Sequence, residues 1–348
     1  MFPGVAHLVS QRGCILSFVD RLGPNASAHL AERDSLENTM HANPIGLTLE
    51  RLTLGTPQQH RNLTLLPLVA VETATQNYLT LDEALERHLA RITELTEGGT
   101  VPELRFDNLS DQRILLLDGE ELVGAKQNRV LNITILVGGH AQIVIPVSCV
   151  ERGRWHHLSR EFHSAKRAMY ARARAAKMAQ VSRSLRSHGS RRSDQSAVWA
   201  DIEAKSARMG SHSATEAMAA MYEQECSSLE DFAQAFHPLE RQVGAVFAIN
   251  GQILGAELFD SAAVFKKLMQ KLVGSYAMDA IEEPQQTVEA LAEKAARDFL
   301  SRIQASAMQS FPAVGEGQDL RLNGRGISGG ALLADGRVVH LSAFSVAE

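Results

Sequence analysis

Cysteine is scarce: the chain has only Cys14, Cys149 and Cys226, odd in number and far apart. That argues against a disulfide framework and points to a reducing compartment. No CxxC pair is present, so a thiolate zinc site has no basis. Long apolar runs are also missing; none approaches the ~18–20 residues that a bilayer span requires. Met1–Val9 carries no cationic stretch and Arg12 interrupts the apolar run that follows, so no secretory signal is read. The expectation is a cytoplasmic protein with no membrane partner. Charge of one sign is lacking too: the net charge of −5 gives the whole molecule no case for nucleic acid or membrane binding.

What is there is ordinary globular material. The 348 residues are 45% apolar and 22% charged, enough for a well-buried core. Residues 1–39 lack clear periodicity and read as an N-terminal extension, either a loosely packed arm or a segment upstream of a true start at Met40. Residues 40–348 read as one domain.

Ile45–Leu54 reads as a strand, as does Asn62–Val71, where Pro67 favours an edge or a bulge. Thr80-Leu81-Asp82-Glu83 has the spacing of a capping box, opening a helix with Leu81, Leu85, Leu89 and Ile92 on one face and its end near Gly98-Gly99. Glu103–Asp107 and Arg113–Leu117 are short strands. Arg129–Val137 alternates, turns at Gly138-Gly139-His140 and returns as Gln142–Val147. Residues 156–236 turn helical, with breaks near Gly189–Ser193 and Gly210–Ser213. Ser193-Asp194-Gln195 caps a helix whose Trp199 is expected in the core. Asn250-Gly251 and Asp335-Gly336 each join two apolar runs, the strongest short hairpin signal. Between them lie two helices, one capped by Asp260 and carrying Val264, Leu268, Leu272 and Tyr276, the other carrying Val288, Leu291, Ala295 and Phe299. Leu116–Ala125 faintly echoes Ala248–Ala256, either a repeated hairpin unit or shared turn chemistry. The fold class expected is α+β: a mainly antiparallel sheet built from hairpins, with a helical insertion at about residues 156–236 and flanking helices.

Reactive residues concentrate in two clusters, Asp118–Arg129 and Cys149–Trp155, with two strands between them. If those strands pair through the glycine turn, their far ends lie side by side and the clusters meet at one sheet edge. That would gather Glu120, Glu121, Lys126, Gln127, Arg129, Cys149, Glu151 and Arg154. Carboxylates, a lysine and arginines so placed can bind phosphate and shift one another toward acid–base work. Gly124-Ala125-Lys126 lacks the spacing of a phosphate-binding P-loop. The competing reading is a set of salt bridges holding a sheet edge to a helix. Cys149 reads as a small buried apolar residue.

The Gly124–Arg129 stretch (GAKQNR) and the Cys149–Trp155 stretch (CVERGRW) resemble the paired motifs of the ARG and rhodanese–phosphatase-superfamily-associated protein domain family. Its members carry a GGKQDR-like stretch and, about 20 residues on, a CVE-x-GRW-like one. The resemblance spans about Pro44 to Ala343 and is sharp only over Gly119–Trp155. Ala125 stands where the family has its second Gly and Asn128 where it has Asp, so a carboxylate role at position 128 is not carried over. The resemblance implies work alongside ADP-ribosylglycohydrolases, in pathways that make or remove ADP-ribose, and it assigns no reaction. On residues and resemblance together, Glu120, Lys126 and Glu151 are the candidate catalytic residues, with Glu151 or Glu120 as acid or base. Gln127, Arg129, Arg154 and Trp155 are the candidate ligand-binding residues, with Lys126, Arg129 and Arg154 on phosphates. The ligand expected is a nucleotide, NAD or ADP-ribose.

Charge is unevenly spread. Arg152–Arg192 holds twelve Lys/Arg and one acid, Glu161, a local +11 within a chain of −5. This predicts either a polyanion partner, nucleic acid or an acidic protein, or a helix whose cations pair with acids elsewhere. Its aromatics before Trp199 are Trp155, Phe162 and Tyr170, too sparse for a base-stacking platform. His156, His157 and His163 lack metal-ligand spacing and read as surface residues. An interaction module acting through this basic region is the alternative to a nucleotide site.

Overall fold

The computed structural model describes residues 43–286 and 293–347. The readings of residues 1–39 and of Met40 as a start lie outside the described residues, as does Val288 with Leu291. Nine strands form one antiparallel sheet. Its order is Leu52–Leu54, Leu63–Ala70, Gln242–Ile249, Gln252–Phe259, Arg337–Ser345, Ile327–Ala334, Gln318–Gly324 and Ala307–Pro312, with Gln58–His60 also on Leu63–Ala70. Both hairpin turns form as read: Asn250 and Gly251 have φ of 48° and 75°, Asp335 and Gly336 of 51° and 71°, the left-handed pair that a two-residue turn needs. The last hairpin pairs with Gln252–Phe259 and so joins the same sheet.

The sheet is covered on both faces. Leu63 and Leu65 pack with Phe247 under the helix Ala262–Glu282, while Leu66 and Leu68 pack with Phe299 and Ile303 of the helix Glu293–Gln304. Each such buried side chain contributes roughly 1.5–3 kcal/mol, which is why these strands read as unbroken apolar runs. Pro67 sits where the neighbouring strands break off, between the pairs Leu54–Leu68 and Gln58–Leu65, so its missing N–H costs no ladder bond.

A six-stranded sheet carries the motifs. Its order is Phe162–Ala168, Glu120–Gly124, Arg129–Leu131, Gln142–Cys149, Glu103–Asn108 and Ala90–Glu94. A three-stranded sheet, Ile135–Val137, Arg113–Leu116 and Tyr78–Thr80, shares its core and includes the parallel pair Tyr78–Thr80 with Arg113–Leu116. The class is α+β with mostly antiparallel pairing.

Several elements differ from the sequence reading. Pro44–Glu50 is a helix, opened by a proline at its first position and burying Ile45 and Leu49 on one face; only Leu52–Leu54 is strand. The capping box forms, with Thr80 Oγ1 accepting from Glu83 N at 3.3 Å and Glu83 Oε2 from Thr80 N at 2.9 Å. Its helix, however, stops at Glu86, and Ala90–Glu94 is a strand in which buried Ala90 and Ile92 flank exposed Arg91. A period of two with β-branched residues outweighs the leucine spacing there. Arg129–Val137 is two strands in different sheets, split where Asn132, fully buried, bonds Ser148 Oγ and the Arg191 carbonyl. Phe162–Ala168 is a strand ahead of the helices Ala171–His188, Gln195–Arg208, Ala219–Gln224 and Cys226–Ala235. Ser261, not Asp260, precedes the helix Ala262–Glu282, because Asp260 accepts the Tyr78 hydroxyl at 2.5 Å. Ala296 rather than Ala295 faces the core, with Phe299. Asp194 caps as read, accepting from Ser196 N and Ala197 N, but Val198 and Ile202 take the core positions and Trp199 is half-buried. The Leu116–Ala125 echo is turn chemistry alone, since its two halves enter different sheets.

Candidate functional site at the paired motifs

The two motifs meet. Arg129, Val130 and Leu131 pair with Cys149, Ser148 and Val147, and Arg129 also faces Leu122. The meeting is at the ends of interior strands, not at a sheet edge, so the side chains are buried: Arg129 is 0% exposed and Arg154 3%. Between the motifs the chain turns through Gly124 (φ 132°) and Ala125 (φ 38°). A Cβ on Gly124 would come within 2.7 Å of the Glu161 carbonyl, so only glycine fits.

Glu151 and Arg154 fasten the motifs together. Arg154 Nη2 donates to Glu151 Oε2 at 2.6 Å and to Asn128 Oδ1 at 3.0 Å, and Nη1 to the Ala125 carbonyl at 2.7 Å. Glu151 also accepts the Asn128 N–H at 3.0 Å and the Thr215 hydroxyl at 2.9 Å. Burial pushes the Glu151 carboxyl up, but the hydrogen bonds from Arg154, Asn128 and Thr215 outweigh it and hold the group below the usual carboxylate range. With these three partners, Glu151 is suited to positioning rather than to proton transfer.

Arg129, Lys126 and Trp155 form the other half of the cluster. Lys126 Nζ donates to the Gly98 carbonyl at 2.6 Å and lies 5.3 Å from the Trp155 ring centre; the Arg129 guanidinium lies 5.9 Å from it. The indole is 48% exposed and covers both cations. Arg129 Nη1 donates to Gln127 Oε1 at 3.1 Å, while its Nε and Nη2 are buried without a hydrogen-bond partner. Burial lowers the Arg129 pKa, opposed by Cys149 and Glu94. Cys149 Sγ donates to Gln127 Oε1 at 3.2 Å, and burial raises its pKa despite Arg129, so the thiol stays protonated and un-nucleophilic at neutral pH.

Glu94 is the residue the sequence reading missed. Both of its carboxylate oxygens are buried without a hydrogen-bond partner. Gly99 (φ 72°) brings it beside Lys126: a Cβ there would sit 3.1 Å from Lys126 Cδ and 3.3 Å from Glu94 Oε2. The signal was the strand alternation of Ala90–Glu94, hidden by reading that stretch as helix.

Glu120 does not join the site. Strand alternation turns it to the opposite face, where it meets Lys271 and accepts the Leu117 N–H at 2.8 Å. Burial raises its pKa against the pull of Lys271. Glu121 faces the motifs instead, bonding Arg167 Nε at 2.5 Å and Asn128 Nδ2 at 3.5 Å.

A second buried charge cluster was not anticipated. Arg174 Nη1 donates to Glu257 Oε1 at 2.7 Å, its Nε lies 3.4 Å from Asp118 Oδ2, and Lys177 pairs with Asp118. His340 Nε2 is 3.1 Å from Glu257 Oε2, and His340 Nδ1 is 2.8 Å from Thr134 Oγ1. Burial pushes Glu257 up, but Arg174 and His340 outweigh it and hold the group below the usual range. The cluster links the helix Ala171–His188 to the nine-stranded sheet. Its signals were lone charges inside apolar strands, at Glu257 and His340.

The basic segment is largely paired. Nine of its twelve cations reach carboxylates, among them Arg167 to Glu121, Arg172 to Glu283, Arg191 to Asp319 and Arg192 to Glu103. His156, His157 and His163 are exposed. Among the described residues no group of His, Cys, Asp and Glu is arranged to hold a metal, and no helix is long and apolar enough to cross a membrane.

An α+β fold with two conjoined motifs at the ends of interior strands defines a class in which the motif pair builds one cluster. The chain belongs to the family of the ARG and Rhodanese-Phosphatase-superfamily-associated Protein domain, whose model matches residues 51–344. No curated protein and no solved structure matches it.

Proposed function

We propose that the paired motifs bind, and in turnover process, a nucleotide with a pyrophosphate, ADP-ribose or NAD. The observation that carries this reading is the set of buried polar atoms without partners: Arg129 Nε and Nη2 beside Glu94 Oε1 and Oε2. Leaving such groups unpaired costs about 1–3 kcal/mol each, more when they are charged, and a ligand with anionic oxygens and hydroxyls satisfies both kinds. Arg129 and Lys126 take the phosphates. Glu94 accepts the hydroxyls of a ribose, and is the acid or base left available now that Glu120 and Glu151 are engaged elsewhere. Trp155 offers a half-exposed aromatic face to a base or sugar, and must swing aside for a ligand to reach Arg129. Family membership supports the ADP-ribose connection through the pathways it implies.

The polyanion-docking alternative has less support, because most cations of Arg152–Arg192 already have carboxylate partners. Calorimetric titration with ADP-ribose and NAD tests the proposal. Wild type binds one of them saturably, and Lys126→Ala and Glu94→Gln lose at least tenfold in affinity while unfolding normally. Binding of neither ligand, or equal binding by all three proteins, refutes it.

A further inference from the structure

The helix Ala171–His188, the turn Gly324-Arg325-Gly326 and the segment Val346-Ala347 line an open cavity of about 610 Å³. That is the size of small-molecule sites, which run to roughly 300–1,000 Å³. We propose that it is a second anion site, for a small ligand bearing a phosphate or pyrophosphate, independent of the motif cluster.

Three features support it. First, Arg183 and Arg186 both line the cavity, and spacing of three places them on one helix face. Among the described residues neither has a carboxylate partner, in a segment where nine of twelve cations do. They are two of the three cations of the segment without a carboxylate partner among the described residues, the third being Arg160, and arginines so left are placed for an external anion. Second, Ser182 lines the same wall, is 4% exposed, and its hydroxyl has no hydrogen-bond partner. A buried hydroxyl without a partner carries a desolvation cost that a ligand oxygen removes. Third, none of the described lining residues is acidic. The cavity therefore offers two forked donors and a hydroxyl donor to one anion, the pattern phosphate recognition uses. Sequence charge alone suggested a broad polyanion surface; two of the three cations of that segment without a carboxylate partner among the described residues line this cavity.

Titration calorimetry with inorganic pyrophosphate tests the proposal, with ribose 5-phosphate and AMP separating a sugar phosphate from a nucleotide. The proteins are wild type, the double variant Arg183→Gln/Arg186→Gln, Ser182→Ala and Lys126→Ala. The arginines are exposed, so their replacement leaves the fold intact, as circular dichroism will verify. Saturable pyrophosphate binding at this cavity is expected to survive in Lys126→Ala, which weakens only binding at the motif cluster, while the double variant binds at the cavity at least tenfold more weakly and Ser182→Ala several-fold more weakly. Added salt weakens the binding. Tighter binding of ribose 5-phosphate than of AMP supports a sugar phosphate as ligand, and the reverse a nucleotide. Absence of saturable binding to wild type by all three probes, or undiminished binding by the double variant, overturns the proposal. Loss in Lys126→Ala but not in the double variant assigns the anion to the motif cluster and also overturns it.

Discussion

Replacing Glu151 by alanine should unfold the motif junction more than any exposed substitution at the site. The carboxylate holds the Arg154 guanidinium at 2.6 Å, the Asn128 N–H at 3.0 Å and the Thr215 hydroxyl at 2.9 Å. Side chains at both ends of the ion pair are nearly buried, 3% and 8% exposed, so water cannot replace the missing acceptor. Removing one partner of such a pair costs about 3–5 kcal/mol. Arg154 keeps the Ala125 and His156 carbonyls and Asn128 Oδ1, which places the cost near about 3 kcal/mol, a large share of the roughly 5–15 kcal/mol that holds a protein folded. With a slope of about 3 kcal/mol per molar urea, the midpoint falls by about 1 M. Urea titration followed by far-ultraviolet circular dichroism measures it. The effect should also depend on pH. The folded Glu151 carboxyl sits below its ordinary value of 4.5, so its stabilisation is complete above that value and disappears as pH falls through the folded pKa. Wild type and Glu151→Ala should therefore converge in acid. A midpoint shift under about 0.3 M, equivalent to about 1 kcal/mol at that slope, or a shift that persists in acid, refutes the reasoning.

Other consequences can be measured as directly. Gly119 has φ 83°, and a Cβ there would lie 2.8 Å from Arg174 Nε, whose guanidinium is fixed on Glu257; Gly119→Ala should cost more than about 2 kcal/mol by urea titration. Thr80→Ala removes the capping-box hydroxyl and should cost about 0.5–2 kcal/mol by the same titration. Cys226 is exposed and Cys149 buried, so a thiol reagent at neutral pH should modify Cys226 in the native protein and Cys149 only after unfolding, as mapped by mass spectrometry. Rapid native modification of Cys149 would contradict its raised pKa. Trp155→Ala, at a half-exposed ring, should cost under about 1 kcal/mol by urea titration while removing ligand binding.

The sequence reading was sound where one local signal governed. The Asn250-Gly251 and Asp335-Gly336 turns, the Thr80 capping box and the meeting of Arg129 with Cys149 all follow from short-range chemistry. Ala90–Glu94 was misread because Ile92 continues the spacing of Leu81, Leu85 and Leu89 and so fits a helical stripe as well as a strand, and only pairing with Glu103–Asn108 decides between them. That misreading hid Glu94, the one carboxylate at the motifs without a partner. Choosing Glu120 over Glu121 was a question of strand phase, and a one-residue change of phase turns a side chain to the other face. The pairing of Arg174 with Glu257, eighty-three residues apart, is a tertiary fact that no local pattern announces. For the same reason the basic surplus of Arg152–Arg192 could not be apportioned between partners within the fold and a ligand until the carboxylates facing it were located.

The central claim, a nucleotide site under Trp155, has a built-in reporter. The two tryptophans of the chain are Trp155 and Trp199, and Trp199→Phe leaves Trp155 as the sole indole. Titrating that variant with ADP-ribose, and then with NAD, while following indole emission is the most direct measurement. A saturable change with one of them, abolished by adding Lys126→Ala, is the predicted result. Unchanged emission up to millimolar concentrations of both, in a folded protein, would contradict the account.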